Sequence, residues 1–416
     1  MNNIAPNESS AVSSVLIVGA GPVGAVCALA LRQQDIHARV LEALKDSDPL
    51  RAKARVESYA QAEDARADTR TLALSHGSRL ILDRLGVWDS LQNVTPITRI
   101  HISQRGALGV TRLSAEEVKV PALGYVLSYA TLTAALKQAL AVADIAVEYG
   151  VAVARIESGA QTAALHGADG RSHTAPLVVV ADGGRSEGAP APKFERDYRQ
   201  MAVVCEVQTE LPHANQAFER FTPEGPAALL PKGDRYALVW TAGTQDAERI
   251  AALDDAAFLA ALYRHFGGRQ GLFLHASSRK TFPLKLAYTG SDAADRVVRI
   301  GNAAQTLHPV SGQGFNIGLR DAWELAALCG DTLHPLIQRG DTPPGEIGSA
   351  AMLRQYARGR HVDVLGGIGF TDFLVQMFSN DIAPIRHARG LGLLALEMCP
   401  PLKSFVARRM IFGARG

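Results

Sequence analysis

The stretch SVLIVGAGPVGAVCALALRQQDIHARVLEA, which runs from Ser14 to Ala43, decides the fold of this chain. It contains an apolar run, three closely spaced glycines, a segment of small apolar residues and a second apolar run before Glu42. A short apolar run before a glycine turn is typical of a buried strand, and the longer segment after the turn is typical of a helix. The stretch therefore predicts a strand, a tight turn, a helix and a second strand.

The glycines of the turn, Gly19, Gly21 and Gly24, have the GxGxxG spacing of nucleotide-binding turns. Gly19 permits the tight turn, Gly21 lets the backbone approach a pyrophosphate, and Gly24 lets the helix pack closely on the strand. Free N–H groups and the positive dipole end at the helix start attract phosphate. Glu42 ends the second strand, where an acid binds the ribose hydroxyls and disfavours a 2′-phosphate. The motif predicts FAD or NAD rather than NADP and does not choose between the two.

Composition narrows the class of protein. The chain has 416 residues, a length typical of two or three domains, and its content of 47% hydrophobic and 20% charged residues is typical of a folded protein. The net charge of +2 gives no argument for binding to nucleic acid. The four cysteines are far apart in the sequence and predict neither a zinc site nor a disulfide framework, so we expect no metal. The polar N-terminus lacks the pattern of a signal peptide, and no apolar run approaches the roughly twenty residues of a membrane span. We therefore expect a cytoplasmic protein.

Two later segments also place glycines after an apolar strand. PLVVVADGGRS occupies residues 176–186, and VVRIGN occupies residues 297–302. The second segment is followed by HPVSGQG, residues 308–314, which precedes a long amphipathic pattern typical of a helix.

These segments resemble the second and third fingerprints of the flavoprotein aromatic hydroxylases, the class A FAD monooxygenases of the para-hydroxybenzoate hydroxylase type. The fragment DTRTLALSHGSRLILDRLGVW, from Asp68 to Trp88, resembles more narrowly the ubiquinone-biosynthesis hydroxylases, and among them the 2-polyprenyl-6-methoxyphenol hydroxylases. The resemblance runs from about Ser14 to Arg360 and is weakest over residues 185–280. It chooses FAD over NAD, and it implies an α/β fold with a discontinuous Rossmann-type FAD domain, a β-sheet substrate domain and C-terminal helices.

The resemblance also implies which residues bind FAD. Asp182 and Gly183 match a segment that contacts FAD and, transiently, the pyrophosphate of a nicotinamide donor. Gly301 and Asn302 match a turn whose polar side chain reaches the ribityl chain or pyrophosphate; Asn302 departs from the Asp usual in the family and lacks its charge. Arg70 matches an arginine that lies beside the cofactor, with a plain surface arginine as the alternative.

The loop from His308 to Gly314 carries the implied catalytic residues. Pro309 resembles the residue that lines the face of the flavin where oxygen adds, and His308 is a second catalytic candidate for which a structural role is the alternative. Gly312, Gln313 and Gly314 precede a helix whose N-terminus would stabilise negative charge on the reduced flavin.

The glycine segments and the short alternating runs between them predict a discontinuous arrangement. We expect the large β-sheet to form the substrate pocket over the flavin. The predicted divisions are an FAD-binding domain at 12–90, 125–183 and 284–345, a substrate-binding β-sheet domain at 91–124 and 184–283, and a C-terminal helical region at 346–416.

The predicted activity is hydroxylation of the aromatic ring of a polyprenylated phenol in ubiquinone biosynthesis, through a flavin hydroperoxide formed with O₂. No second GxGxxG follows a strand, so we expect NADPH or NADH to dock transiently, or an electron-carrier protein to replace it. Two alternatives stay open: a hydroxylase of a small free phenol, and an inactive assembly subunit, for which Asn302 is the hint. His101, His308 and Tyr125 are candidates for a catalytic base.

The C-terminal tail suggests possible partners. From Ile385 onward it contains six basic residues and one acidic residue, Glu397, interspersed with apolar ones. Such a tail is typical of a segment that lies on the inner face of a membrane or docks another quinone-biosynthesis protein, and a helix packed on its own domain is the alternative. The sequence does not indicate an oligomeric state.

Overall fold

The structure is a computed structural model that describes residues 15–45, 70–106, 109–186, 190–290, 296–307, 312–338, 346–378 and 383–413. Helices cover the nucleotide-binding sheet, flank the large sheet and form the C-terminal region. Their bounds are α1 Pro22–Gln33, α2 His76–Arg84, α3 Tyr129–Val142, α4 Thr244–Ala252, α5 Asp255–Phe266, α6 Gln313–Gln338, α7 Ala350–Phe378, α8 Ala383–Met398 and α9 Pro400–Phe412.

A parallel sheet forms the nucleotide-binding part of the molecule. Its strand order is β19-β12-β1-β2-β8, and every neighbouring pair is parallel. All residues of β1 and β12 are buried, which explains why both strands are continuous apolar runs in the sequence. The carboxyl ends of β1, β12 and β19 therefore lie side by side, and each leads into one of the glycine segments. The strands are β1 Val15–Val18, β2 Ala38–Glu42, β8 Val147–Tyr149, β12 Leu177–Val180 and β19 Val297–Arg299.

A larger sheet stands beside the first. Its order is β20-β18-β13-β16-β15-β14-β5-β6, with β17 paired to β13, and its pairs are antiparallel except β14 with β5. Helices α4 and α5 cover one face, which we call the outer face. The opposite face, which we call the inner face, contacts α7 and α8. The strands are β5 Arg99–Gln104, β6 Val110–Ser114, β13 Phe194–Thr209, β14 Gln216–Thr222, β15 Gly225–Lys232, β16 Arg235–Gly243, β17 Phe273–Ala276, β18 Lys280–Tyr288 and β20 Gln305–Thr306.

Two small antiparallel sheets complete the strands. The first has the order β3-β7-β4 and joins the two larger sheets, and the second has the order β11-β10-β9. The strands are β3 Thr71–Ser75, β4 Thr95–Ile97, β7 Gly124–Ser128, β9 Val153–Ser158, β10 Ala163–Gly167 and β11 Ser172–Ala175. The predicted domain boundaries remain a prediction; the large sheet includes β18, which crosses the predicted end of the substrate domain at residue 283, and β20, which follows it.

The C-terminal helices are tied to the nucleotide-binding part by a buried ion network. Arg360 on α7 lies 2.8 Å from Asp321 and 3.1 Å from Glu324, both on α6, and 2.9 Å from Asp363. Asp363 also pairs with Arg320 at 2.8 Å. Buried charges are stable only when they are paired, so the network fixes α7 against α6.

Among the residues that the structure describes, no single helix is long and apolar enough to span a membrane. The helices Arg389–Met398 and Pro400–Phe412 meet the length and composition criteria only as a pair, and they are bent by 101° relative to each other.

Replacing Arg360 by Leu should lower the free energy of unfolding by about 3 kcal/mol, because the change leaves buried carboxylates without their cation. Urea denaturation measures the change. Arg249→Leu, at an exposed pair on α4, is the matched control and should change stability by no more than about 0.5 kcal/mol. An equal effect of both variants would contradict a role of the network in stability.

Candidate cofactor and active site

The first glycine loop is shaped by close backbone packing. Gly19 has φ +101°, and a Cβ atom there would lie 2.8 Å from the carbonyl oxygen of Ala181. A Cβ atom on Gly24 would lie 2.0 Å from the carbonyl oxygen of Gly19. Both positions therefore require glycine: one for the turn, and the other for contact between the helix and the loop.

Gly21 is glycine for a different reason. Among the described residues, no atom outside Gly21 and its two chain neighbours lies within 4 Å of the position of a Cβ on this residue. Gly21 is also the N-cap of α1, and no side chain caps the helix there. The open space and the uncapped N–H groups form a cradle suited to an anionic group.

Glu42 lies against this cradle. Its carboxylate accepts hydrogen bonds from the backbone N–H of Ala20 at 2.7 Å and of Leu44 at 3.0 Å. The bonds fix the carboxylate beside the glycine loop, and each oxygen has a second lone pair for a hydroxyl group.

The second and third glycine segments meet the first at the same edge of the sheet. Asp182 accepts hydrogen bonds from the N–H groups of Gly184 and Ser186, each at 2.8 Å, and also contacts the Ser186 hydroxyl. This carboxylate shapes its own loop, which includes Gly183 at φ +75°. A Cβ on Gly184 would lie 3.6 Å from the carbonyl oxygen of Asn302. The loops are thus in contact with each other.

The backbone of the Gly301 turn is hydrogen-bonded to Asp321, a residue that the sequence analysis missed. Asp321 is 2% exposed and accepts hydrogen bonds from the Gly301 N–H at 3.0 Å and from the Gln305 side chain at 2.6 Å. Asn302 itself is exposed, so its side chain is available to a ligand. In the sequence, Asp321 is visible only as an acidic residue in the helix after the third glycine segment. Nothing near it in the sequence indicates that it binds the Gly301 turn.

Asn316 is a second residue that the sequence analysis missed. Its amide donates to the carbonyl groups of Gly312 at 2.8 Å and Ala73 at 3.0 Å, and its oxygen accepts from Ser75 N–H at 2.8 Å and the Ser78 hydroxyl at 2.7 Å. All four of its hydrogen-bonding positions are used. Asn316 therefore holds β3 against the loop that begins α6.

The residues at the start of α6 have distinct environments. Gly312 has φ +59°, a Cβ atom on Gly314 would lie 3.7 Å from Leu307, and the Gln313 side chain donates to the Met410 carbonyl group on α9 at 3.2 Å. The predicted catalytic residues His308 and Pro309 lie outside the described residues, between Leu307 and Gly312.

Arg70 lies at the start of β3. Its guanidinium group is 4.3 Å from the centre of the Tyr129 ring, and its carbonyl oxygen accepts a hydrogen bond from Tyr129 N–H at 2.8 Å. The residue is exposed, so the contact leaves the side chain accessible from solvent. Its role beside the cofactor remains a prediction.

The structure describes two of the three candidates for a catalytic base, His101 and Tyr125. His101 contacts Phe218 on the outer face of the large sheet, and burial, with Arg269 and Arg112 nearby, lowers its pKa. The Tyr125 hydroxyl lies 3.4 Å from Nδ1 of His76, and burial raises its pKa. His101 therefore lies on the face opposite to α7 and α8, and its role as a base remains a prediction.

Comparison with known proteins gives the family. Residues 12–333 match a family described as FAD binding domain. The chain is 33% identical over 405 residues to ubiquinone hydroxylase UbiL of Rhodospirillum rubrum, over 95% of this chain and 89% of that protein. This chain belongs to the FAD-dependent hydroxylases of ubiquinone biosynthesis. It is also 29% identical to the 3-demethoxyubiquinol 3-hydroxylase of Escherichia coli, over 94% of this chain and 96% of that protein.

Solved structures show the same fold. HpxO of Klebsiella pneumoniae, complexed with FAD and uric acid, has a TM-score of 0.69 at 19% identity and covers 97% of each chain. The p-nitrophenol 4-monooxygenase PnpA of Pseudomonas putida has a TM-score of 0.70 at 13% identity, over 97% of this chain and 99% of that chain. The comparisons confirm the predicted family, fold class and FAD cofactor.

The residues present fit FAD. The space at Gly21 and the uncapped start of α1 suit its pyrophosphate, and the fixed carboxylate of Glu42 suits its adenosine ribose. When bound, FAD supplies the redox chemistry that lets this family activate O₂.

Gly21→Val should abolish FAD retention without unfolding the protein, since the new side chain enters the cradle, where no described residue other than the chain neighbours of Gly21 lies near Cβ. The flavin content of purified protein, read from its absorbance spectrum, measures the effect. Gly392→Val, which also places Cβ in open space but lies on α8, is the control and should keep its flavin. Normal flavin content in Gly21→Val would show that the cradle does not bind the pyrophosphate.

Proposed function

We propose that this enzyme hydroxylates the aromatic ring of a polyprenylated phenol on the route to ubiquinone. Relatives described as ubiquinone hydroxylase and 3-demethoxyubiquinol 3-hydroxylase align over nearly the whole chain. The observation that favours a prenylated substrate over a small free phenol is a mainly apolar cavity beside the start of α6.

The cavity has a volume of about 280 Å³ and lies between α6, α7 and α9. Most of its surface is apolar, and two of its charged side chains, Arg320 and Asp363, are paired with each other. Gly366 and Gly367 widen it, because a Cβ on Gly367 would lie 2.7 Å from Ile317 Cδ1. The lining residues include Gln313, Ile317, Phe405, Val406 and Met410.

A smaller cavity of about 80 Å³ lies beside this space, at the start of α6. Gln313 and Met410 line both cavities, and Gly312 and Ala73 line the smaller one. An apolar tail in the larger cavity would therefore leave its ring near the start of α6. A small free phenol would make no use of such a space.

The chain's own residues have three tasks in this reaction. Glu42 and the first glycine loop bind the adenosine and pyrophosphate parts of FAD. Gly301 and Asn302, supported by Asp321, would hold the ribityl chain, and the N–H groups at the start of α6 would favour negative charge on the bound cofactor. The third task, exclusion of water from the ring, falls to the inner face of the large sheet. NADPH or NADH would bind transiently at the Asp182 and Gly183 loop.

An inactive assembly subunit is the less favoured alternative. The open cradle at Gly21 and the intact support of the Gly301 turn by Asp321 argue for retained cofactor binding. The exposed amide of Asn302 can still hydrogen-bond to a cofactor without the charge of an aspartate.

Membrane contact by the C-terminal helices remains a prediction. Exposed apolar side chains favour it: Phe373, Leu391, Leu394, Met398, Leu402 and Phe405 are all more than two-fifths exposed. The electrostatic contribution is smaller than the sequence indicates, because Lys403 is buried and pairs with Glu117 and Glu397, and Arg389 is buried and donates to the Met377 carbonyl. Association with other quinone-biosynthesis proteins is also untested.

Deleting the gene from its host should make a prenylated phenol that lacks one ring hydroxyl accumulate among the extracted quinone lipids. Mass spectrometry identifies the compound and the missing position together. Complementation with the intact gene should restore the normal profile, and complementation with the Gly21→Val variant should not. An unchanged lipid profile in the deletion strain would contradict a necessary role in ubiquinone synthesis and would favour a small free phenol.

Val406→Trp should fill part of the larger cavity and raise the KM for a prenylated phenol at least tenfold, since each CH₂ group that loses its buried position costs about 0.8 kcal/mol. The KM for a phenol without the tail should stay unchanged. Leu402→Trp is the matched control, because it adds the same ring one turn away on α9 at an exposed position. An equal KM for the prenylated phenol in both variants would place the tail elsewhere.

A further inference from the structure

One carboxyl group stands apart on the inner face of the large sheet. Glu219 lies in the middle of β14, and strand pairing places it between Ile102 of β5 and Ala228 of β15. Side chains alternate between the faces of a strand, so Ala217 and Phe221 share its face. Phe221 packs with Val375 of α7 and Leu393 of α8, which identifies that face as the inner one.

The outer face is assigned independently. Phe218 precedes Glu219 and packs with Leu229 and Trp240 against the helices α4 and α5. Arg220 follows Glu219 and donates to the Ser103 hydroxyl at 3.4 Å. Glu219 therefore points away from these residues and toward the cofactor side of the sheet.

The inner face at this point leads directly to the candidate site. Ile100 pairs with Ala217 across β5 and β14. Ile100 also lines the smaller cavity, together with Gly312 and Ala73. Since alternate residues on a strand are about 7 Å apart, Glu219 lies one side-chain position beyond the edge of that cavity.

The surroundings of Glu219 are apolar. Within the described parts of the chain, its carboxyl group forms no hydrogen bond and no ion pair. Glu219 keeps part of its surface accessible, although protein surrounds the carboxyl group closely enough that burial raises its pKa to about 8. An acid that loses hydration without a protein partner is costly, so these properties indicate a functional position rather than a structural one.

Two charged side chains in the described parts of α7 and α8 have other partners. Asp372 on α7 binds Arg196 and Tyr198, at 2.7 Å and 2.9 Å. Arg389 on α8 donates to the Met377 carbonyl at 2.6 Å. The neighbours on β5 and β15 are apolar, and Gln104 further along β5 is uncharged. Loss of hydration is thus the dominant influence on the Glu219 carboxyl group.

We propose that Glu219 hydrogen-bonds the ring hydroxyl of the phenol substrate and accepts its proton. The phenol O–H bond breaks, an O–H bond forms on the Glu219 carboxylate, and the electron pair stays on the phenolate oxygen. That pair raises the electron density of the ring carbons ortho and para to it, where oxygen is added. The step needs no oxidant beyond the O₂ of the established activity, and the inference rests on the phenol substrate of the proposed function.

Glu219→Gln tests the proposal, because the amide has the same shape and still hydrogen-bonds but cannot accept a proton at these pH values. Hydroxylation of a prenylated phenol at pH 7 should fall at least 100-fold in kcat, the usual scale for loss of a general base. KM and flavin content should change little. Glu248→Gln, at an exposed position on α4, is the matched control and should match the wild type.

The pH profile distinguishes a proton acceptor from a merely structural residue. The base form of Glu219 increases as pH rises through about 8, so wild-type kcat should rise between pH 7 and 9. In Glu219→Gln that rise should move toward the pKa of the free phenol, about 10. A variant with wild-type kcat and an unchanged profile would overturn the assignment of Glu219. If the flavin-loaded wild type hydroxylates no prenylated phenol, the proposed function fails and this inference fails with it.

Discussion

The close approach of three backbone turns at the end of the parallel sheet is the constraint on which the rest of the structure depends. Gly19 leaves no room for a side chain beside Ala181, and Gly24 leaves none beside Gly19. Only glycine permits this packing, because any Cβ atom would overlap a carbonyl oxygen. The turns after β1 and β12 are thereby held together, the turn after β19 joins them where Gly184 approaches Asn302, and no described side chain fills the open position at Gly21.

The ion network around Asp321 connects the turn after β19 to the C-terminal helices. One oxygen of Asp321 holds the Gly301 turn, and the other accepts a hydrogen bond from Arg360 at 2.8 Å. Arg360 belongs to α7, so a single buried carboxylate links the cofactor cradle to the C-terminal helices. The same helices enclose the apolar cavity, which means that the cradle and the cavity are positioned by one set of contacts. Asn316 performs the corresponding task between β3 and the start of α6.

The two faces of the large sheet differ in chemistry. The outer face is a conventional apolar core under α4 and α5, with Trp240 and Phe258 in contact. On the inner face, Glu219 interrupts an otherwise apolar row. A carboxyl group in that environment loses hydration without gaining a protein partner, which is the condition that shifts a carboxyl pKa toward the range used in proton transfer. In the proposed reaction the sheet would both shield the ring from water and contribute a titratable group.

The sequence by itself determined the nucleotide-binding turn, because that turn depends on glycines and apolar runs within a few residues of each other. The choice of FAD and the fold family came from the resemblance of longer segments to the flavoprotein aromatic hydroxylases. The roles of Gly19 and Gly24 could be predicted from the sequence, since few residues other than glycine can adopt the tight turn or permit the close contact between helix and loop. Tertiary structure alone decided the support of Gly301 by Asp321 and of Gly312 by Asn316. Asn316 bonds to a residue 241 positions away, and no local pattern specifies such a partner. The tertiary structure also buries Lys403, which the sequence had suggested was part of a basic surface, and it places Glu219 on the inner face of the large sheet. A strand pattern shows that side chains alternate, but only the elements packed on each side determine which face meets the cofactor.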